Sequence, residues 1–528
     1  MLDQTYLDTA HLLNRAGFGA SPETVQASAL AGLAATTNTL LHPELGTPDP
    51  DDTFMIQRLT NMIPDRKVGQ TPVQFVKIWW THRMLSTNHP LVEKMVLFWH
   101  GHFTSKLDDG DLMLEQNQTY RRHALGNFRT LAQAVSKDPA MLRYLNGNEN
   151  FKAHPNENYG RELMELFTCG IGNYTEDDVK AAAKAFSGWN LRAGEFRFNP
   201  RQHDDSAKTF LGKTGNWNGD DIVDILVAHP ATATRLCKQL FEYFAYPNPE
   251  PAVMNALTKT YYASGYDIRE VVGQILRSNA FYSDKARGAI IKCPVQYVVG
   301  SIKMLGLEAA FDATRDEIEG ETVMTMDPGD VNNATSTSTT TPATNPAPKP
   351  APAPGPLQGM KMGRLAMLCN AMRSMGQDIL SPPSVKGWDG EEAWINSATL
   401  LNRINFANRI SQQQRLFQFL EPSVQDYAQQ NNVDERTAWV DWLTLALGPL
   451  EFEKSTHDTL VAFANGDGQF NANNSHVAAA ASTPVAFDPN VPPRQRAVGP
   501  VGRLVPGEQG RMLSLIPLIM ATPEYQVC

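Results

Sequence analysis

Apolar residues recur at helical spacing through most of this chain, which leaves little of it for a sheet. Between Val92 and His100 the residues Val92, Met95, Val96, Leu97, Phe98 and Trp99 predict a largely buried helix, and Gly101 stands where that helix would end. Asn156 is placed to cap a helix over 157–168, with Gly170 just past its end. Thr175, followed by Glu176, Asp177 and Asp178, opens another that runs towards Gly188. The helical period returns at 220–228, 231–245, 251–264, 268–277, 362–375, 394–410, 434–447 and 512–521. Strand character is confined to a weak alternation from Glu195 to Asn199, read as half of a minor hairpin. The expected fold is mainly α: one large helical domain with long loops.

Between Phe311 and Met360 the composition changes to an acidic loop and then to Thr, Ser, Asn, Ala and Pro, ending in NPAPKPAPAPGP. Such a stretch cannot bury enough apolar area to offset its ordering entropy, so 311–360 is expected to be a flexible insertion. Helical pattern resumes after it, so the insertion is expected to interrupt one domain and divide it into parts 1–310 and 361–528. A second loop-rich region covers 465–506.

Composition narrows the function. Of 528 residues 42% are apolar and 19% charged, in the range of a soluble globular chain. The apolar run from Leu515 to Ala521 contains a proline and stops far short of the ~18 residues that cross a bilayer. A net charge of −10 and the absence of a basic stripe argue against nucleic acid. The five cysteines are widely spaced, odd in number and include no C-x-x-C pair, so neither a zinc ribbon nor a thioredoxin-type site is written here and a disulfide framework is not required. The first residues lack a basic segment followed by an apolar one, so no export signal is expected in the chain as given, and its compartment stays open.

Standard motifs fail. Ala207 stands where a phosphate loop ending in Gly212, Lys213 and Thr214 needs its first glycine, and Ala185 and Trp189 replace the glycines that would flank Ser187 in a nucleophile elbow. Three polar clusters remain. FWHGHF sets His100 and His102 about a helix end, where they could share a metal if the chain turned there, or else cap the helix and pack in the core. NENYGRELMELFTCG puts Glu157, Arg161, Glu162 and Glu165 on one arc and Tyr159, Leu163, Leu166 and Phe167 on the other. It predicts i,i+4 ion pairs from Arg161 to Glu157 and Glu165, with Glu162 at the apolar edge as a candidate base or ligand. RQHDDSAKTFLG gathers His203, Asp204, Asp205 and Lys208 in a loop that can display ligands or simply form a solvated turn.

AHLLNRAGFGAS, MVLFWHGHFTS, NENYGRELMELFTCGIGNYTEDDVKAAAKAFSGW, FRFNPRQHDDSAKTFLG, HPATATRLCKQLFEYF, SPPSVKGWDGEEAWINSATLLNRINFANR and MATPEYQ, in that order, resemble the bacterial family called domain of unknown function 1800. The likeness runs from about Ala10 to about Gln526 and is interrupted by the two loop-rich tracts. Many members are exported and are often encoded beside a sulfatase-like family, so the resemblance implies a partner of that kind and brings no activity with it.

Two functions follow as expectations. In the first, His100, His102 and His203 hold a divalent metal, and Glu162, Arg161 and Asp204 carry the chemistry of a metal-assisted hydrolysis or oxidation of a polymeric or cell-envelope substrate. In the second, the same residues form a buried hydrogen-bond network that pins a helical scaffold or assembly factor.

Overall fold

The computed structural model describes residues 3–50, 55–56, 71–311, 360–412, 415–466 and 508–528. The expected flexible insertion and most of the 465–506 loop lie outside the described residues. What is described is mainly α, with two two-stranded antiparallel hairpins. The helices begin where local chemistry can satisfy their first N–H groups. Asp3, Ser21, Asn127, Asp138 and Asp434 each accept from the first turn, and Pro22, Pro90, Pro139, Pro230, Pro251, Pro294 and Pro523 occupy first-turn positions that need no donor. Thr175 forms the expected capping box with Asp178 at the start of Glu176–Ala185.

Two boundaries differ from the sequence reading, and both matter for the site. The buried helix is Pro90–His102 and runs straight through Gly101. A glycine inside a helix is a cost of ~1 kcal/mol, small enough for packing to override. The second departure is at 157–168. A short α-helix Asn158–Glu162 passes into a π-turn Leu163–Phe167, and Asn156 sits one residue too early to cap it, accepting from Asn158 N–H instead. The apolar arc still faces inward: Tyr159, Leu163, Met164 and Phe167 are buried, and Leu166 packs partly buried against the core.

The expected hairpin is β1 (Trp189–Arg192) paired with β2 (Glu195–Phe198). A second, β3 (Lys208–Phe210) with β4 (Lys213–Gly215), follows in a stretch that shows no periodicity. Its two-residue turn, Leu211 and Gly212, has positive φ at both positions, the geometry of a tight hairpin.

The Pro90–His102 helix lies near the middle of the packing, with Leu91, Met95, Val96, Leu97 and Trp99 buried. The Met360–Ser374 helix packs on Val73–Ser86 and on Pro294–Met304, and Ser397–Ser411 packs on Glu508–Met520. Residues before 312 and after 359 therefore contribute to one apolar core, from Tyr6 to Tyr525. Beside it, Glu93 is fully buried and takes hydrogen bonds from Trp80 Nε1 (3.1 Å), Arg83 Nε (3.0 Å) and Arg121 Nη2 (2.8 Å). Among the described residues no helix is long and apolar enough to cross a membrane.

The C-terminal segment closes back on the segment before Pro294–Met304. Ile291 and Val527 form an antiparallel bridge, flanked by Cys528 N–H to Ile290 O (2.9 Å) and Lys292 N–H to Gln526 O (2.8 Å). This pairing brings Cys528 alongside Lys292 and Cys293, more than two hundred positions away in the chain.

Candidate functional site: a buried cationic pocket

The six residues singled out from sequence occupy three different surroundings. Because the helix continues through Gly101, His100 and His102 project about 200° apart and turn away from each other. His100 Nε2 accepts from Leu380 N–H at 3.0 Å, so Nδ1 carries the proton, and that nitrogen is buried without a partner. His102 stacks on Phe98 and bonds through Nε2 to the Phe167 carbonyl at 2.9 Å. Burial, with Lys77 beside His100 and Arg235 beside His102, pushes both rings down to about 3, so they are neutral across the physiological range. His203 is buried on the loop after β2. Its Nδ1 bonds to the Ser187 carbonyl at 2.8 Å, and its Nε2 is 3.9 Å from Asp205. Among the described residues no three His, Cys, Asp or Glu side chains are grouped to hold a metal ion.

The carboxylates serve local structure. Arg161 pairs with Glu157 (3.1 Å) as expected, but its second partner is Glu176 (2.7 Å) and not Glu165, which accepts from Tyr174 Oη at 2.9 Å. The π-turn that follows Glu162 moves Glu165 off the ideal i,i+4 position, which explains the exchange. Glu162 is half-buried, and burial together with Glu165 raises its carboxyl, opposed by Arg161. Asp204 closes a turn by accepting from Ser206 N–H at 2.9 Å.

A different set of side chains lines a cavity of about 420 Å³, and of the six expected residues His102 alone reaches it. Arg15, Lys94 and Lys292 line it with Cys293, Gln296 and Cys528, Trp388 and Trp394 line the loop side, and the more exposed carboxylates Glu242, Asp389 and Glu391 also border it. Gly387 holds that loop close: it has φ +89°, and a Cβ there would lie 2.8 Å from the Gly101 carbonyl oxygen.

The three cations are 2%, 6% and 3% exposed, and no side-chain carboxylate lies within ion-pair distance of any of them among the described residues. Arg15 has a structural task. It donates to Phe244 O (2.8 Å) and to Ala245 O, capping the carbonyl end of the Pro230–Phe244 helix, and to Cys528 O (2.8 Å). Lys94 donates to Gln296 Oε1 and lies between the rings of Phe18 (5.3 Å) and Tyr243 (5.4 Å). Lys292 places its ammonium 3.6 Å over the Tyr525 ring, with no hydrogen-bond acceptor among the described residues. Nearby Arg403, also fully buried, donates to Lys292 O (2.7 Å) and Gln526 Oε1 (3.1 Å) and has no carboxylate partner among the described residues.

Burial lowers all three cations, and Arg403 adds its charge to bring Lys292 down to about 7. The Cys528 thiol moves the other way from most buried thiols. Burial raises it, but Arg15, Lys94 and Lys292 together outweigh that and hold it below the usual thiol range. Cys293, which caps the Pro294–Met304 helix by accepting from Gln296 N–H, stays raised by burial.

Sequence inspection passed over these cations, although each left a trace. Arg15 comes two residues after Leu13, Lys94 stands beside Glu93 in an otherwise apolar helix, and Lys292 stands between Ile291 and Cys293. A lone cation in an apolar run is seldom fully buried without a reason, and that is the signal that would have found them.

Fold and pocket together define a mainly α-helical protein with a half-open cavity that has three buried cations in its lining. The chain belongs to the family described as protein of unknown function (DUF1800), which matches residues 11–527, nearly its whole length. No curated protein and no solved structure matches it.

Proposed function

We propose that this protein binds a small anion, or the anionic end of a larger molecule, in the cavity lined by Arg15, Lys94 and Lys292. One observation carries the reading: Arg15, Lys94 and Lys292 are buried at the cavity with no side-chain carboxylate within ion-pair distance of them among the described residues, while Glu242 and Asp389, which also line it, pair with Lys238 and Lys386. Burying an uncompensated charge costs several kcal/mol, so such a cluster persists where something offsets it. Trp388 and Trp394 on the loop side offer flat apolar surfaces for the body of a ligand whose charged end reaches the lysines.

Metal-assisted chemistry at His100, His102 and His203 has weaker support, because each ring already spends a nitrogen on the main chain and the first two diverge. A sulfatase-like partner would fit the anion reading, since sulfate esters belong to the ligand class this pocket would take.

Thermal unfolding with sodium phosphate or sulfate, against sodium chloride at equal ionic strength, tests the proposal. The midpoint should rise with phosphate or sulfate and saturate, as ligand linkage requires. Equal midpoints in all three salts would refute it.

A further inference from the structure

We infer that Cys528 is a nucleophilic thiol serving this pocket, directed at small electrophiles that carry a carboxylate or phosphate near the reacting carbon. The inference rests on the anion-binding reading and adds a reaction to it. Cys528 lines the cavity, and its main chain is fixed by paired hydrogen bonds with Ile290. Arg15 Nη1 lies 3.5 Å from its sulfur, and Lys94 and Lys292 are its other charged neighbours. The second observation is Lys292, 97% buried in the lining of the same cavity, its ammonium over the Tyr525 ring and without a hydrogen-bond acceptor among the described residues. One cation set would thus both hold the anionic group of a substrate and favour the thiolate.

The other cysteines set the contrast. Cys169, Cys237 and Cys369 are buried away from this cavity, and burial pushes their thiols up to about 11, 12 and 11. Cys293 lies at the cavity but is raised by burial and uses its sulfur as a helix cap. In the reaction the Cys528 thiol first gives its proton to solvent. The sulfur lone pair then forms an S–C bond as the bond from that carbon to its leaving group breaks, and the leaving group departs with the electron pair. No oxidant or reductant enters.

Iodoacetate and iodoacetamide differ in one negative charge and both alkylate thiolates with loss of iodide. Timed alkylation of the full chain, read cysteine by cysteine by peptide mass spectrometry, should show Cys528 modified faster by iodoacetate, by at least about tenfold over the ratio for a free thiol. Inorganic phosphate should slow that reaction, and Lys292→Met should erase the preference. Should the variant fail to fold, the two reagents on the unmodified sequence decide the matter alone. A Cys528 that reacts no faster with iodoacetate, or label that falls first on Cys293, overturns the inference. If phosphate raises the thermal midpoint while Cys528 shows no preference, the nucleophile falls and the anion pocket stands. If Cys528 prefers iodoacetate while no anion stabilises the fold, the anion pocket falls, and with it the substrate class assigned to this thiol.

Discussion

Replacing Lys292 by methionine should make the protein more stable at neutral pH and less able to respond to anions. The ammonium sits in a fully buried place with Arg403 near it, and its pKa falls from 10.5 to about 7. That shift corresponds to ~5 kcal/mol of penalty on the charged form at ~1.36 kcal/mol per pH unit. Methionine keeps most of the side-chain volume and makes a favourable contact with the Tyr525 ring, so about 1–4 kcal/mol should be regained, the range seen when buried charges give way to well-packed apolar groups. The sign follows from proton linkage. Between pH ~7 and ~10.5 the unfolded chain holds a proton on Lys292 that the folded chain has released, so stability of the unmodified protein rises through that window. The penalty is complete below ~7 and gone above ~10.5, and the variant should therefore gain most at pH 6.5 and nothing near pH 10.5. With an unfolding entropy of ~2.1 cal/mol/K per residue over a chain of this size, 1 kcal/mol corresponds to about 1 °C, so the midpoint at pH 6.5 should rise by about 1–4 °C. Differential scanning calorimetry at pH 6.5, 8 and 10, with and without phosphate, reads both effects. A variant less stable at pH 6.5, or one whose advantage does not shrink with rising pH, would refute the reasoning about this lysine.

Three further outcomes are expected. Leu163→Ala should cost ~2–5 kcal/mol in urea denaturation and Glu165→Ala under ~1, since the first empties a buried site and the second loses one tyrosine hydrogen bond at the surface; the reverse order would mean the π-turn faces are misassigned. Glu93→Ala takes the buried carboxylate from Arg121 and leaves Arg83 to Asp49 (2.7 Å), and should cost ~3–5 kcal/mol; a loss below ~1 would show that Asp49 and Asn117 satisfy the two arginines by themselves. Asp138, raised to about 7 chiefly by burial, holds a proton in the folded state that the unfolded chain loses above ~3.8, so its contribution worsens as pH rises from 4 to 7. Asp138→Asn preserves an acceptor for the Met141 N–H and should gain on the unmodified protein between pH 4 and 8, measured as the difference in urea midpoints; a constant difference would refute it.

How much of this was written in the chain depends on the distance over which each feature is decided. Helix existence was legible because apolar spacing and caps such as Thr175 with Asp178 act within a few residues. The inward face of Tyr159, Leu163 and Phe167 was legible for the same reason. The passage through Gly101 was not, since burial of the surrounding Pro90–His102 helix overrode a local stop signal. Nor was the exchange of Glu165 for Glu176, which follows from a π-turn that no local propensity announces. Family membership and the mainly α class came from sequence alone, and the structure and the family match agree with both. The pocket is the opposite case. Arg15, Lys94, Lys292 and Cys528 are isolated in sequence and become neighbours because the last residues pair with Ile290 and Lys292 and because Arg15 caps a helix ending at Phe244. Charge added at a point depends on every cation that reaches it through a low-dielectric interior, and such a sum exists only after the chain has folded.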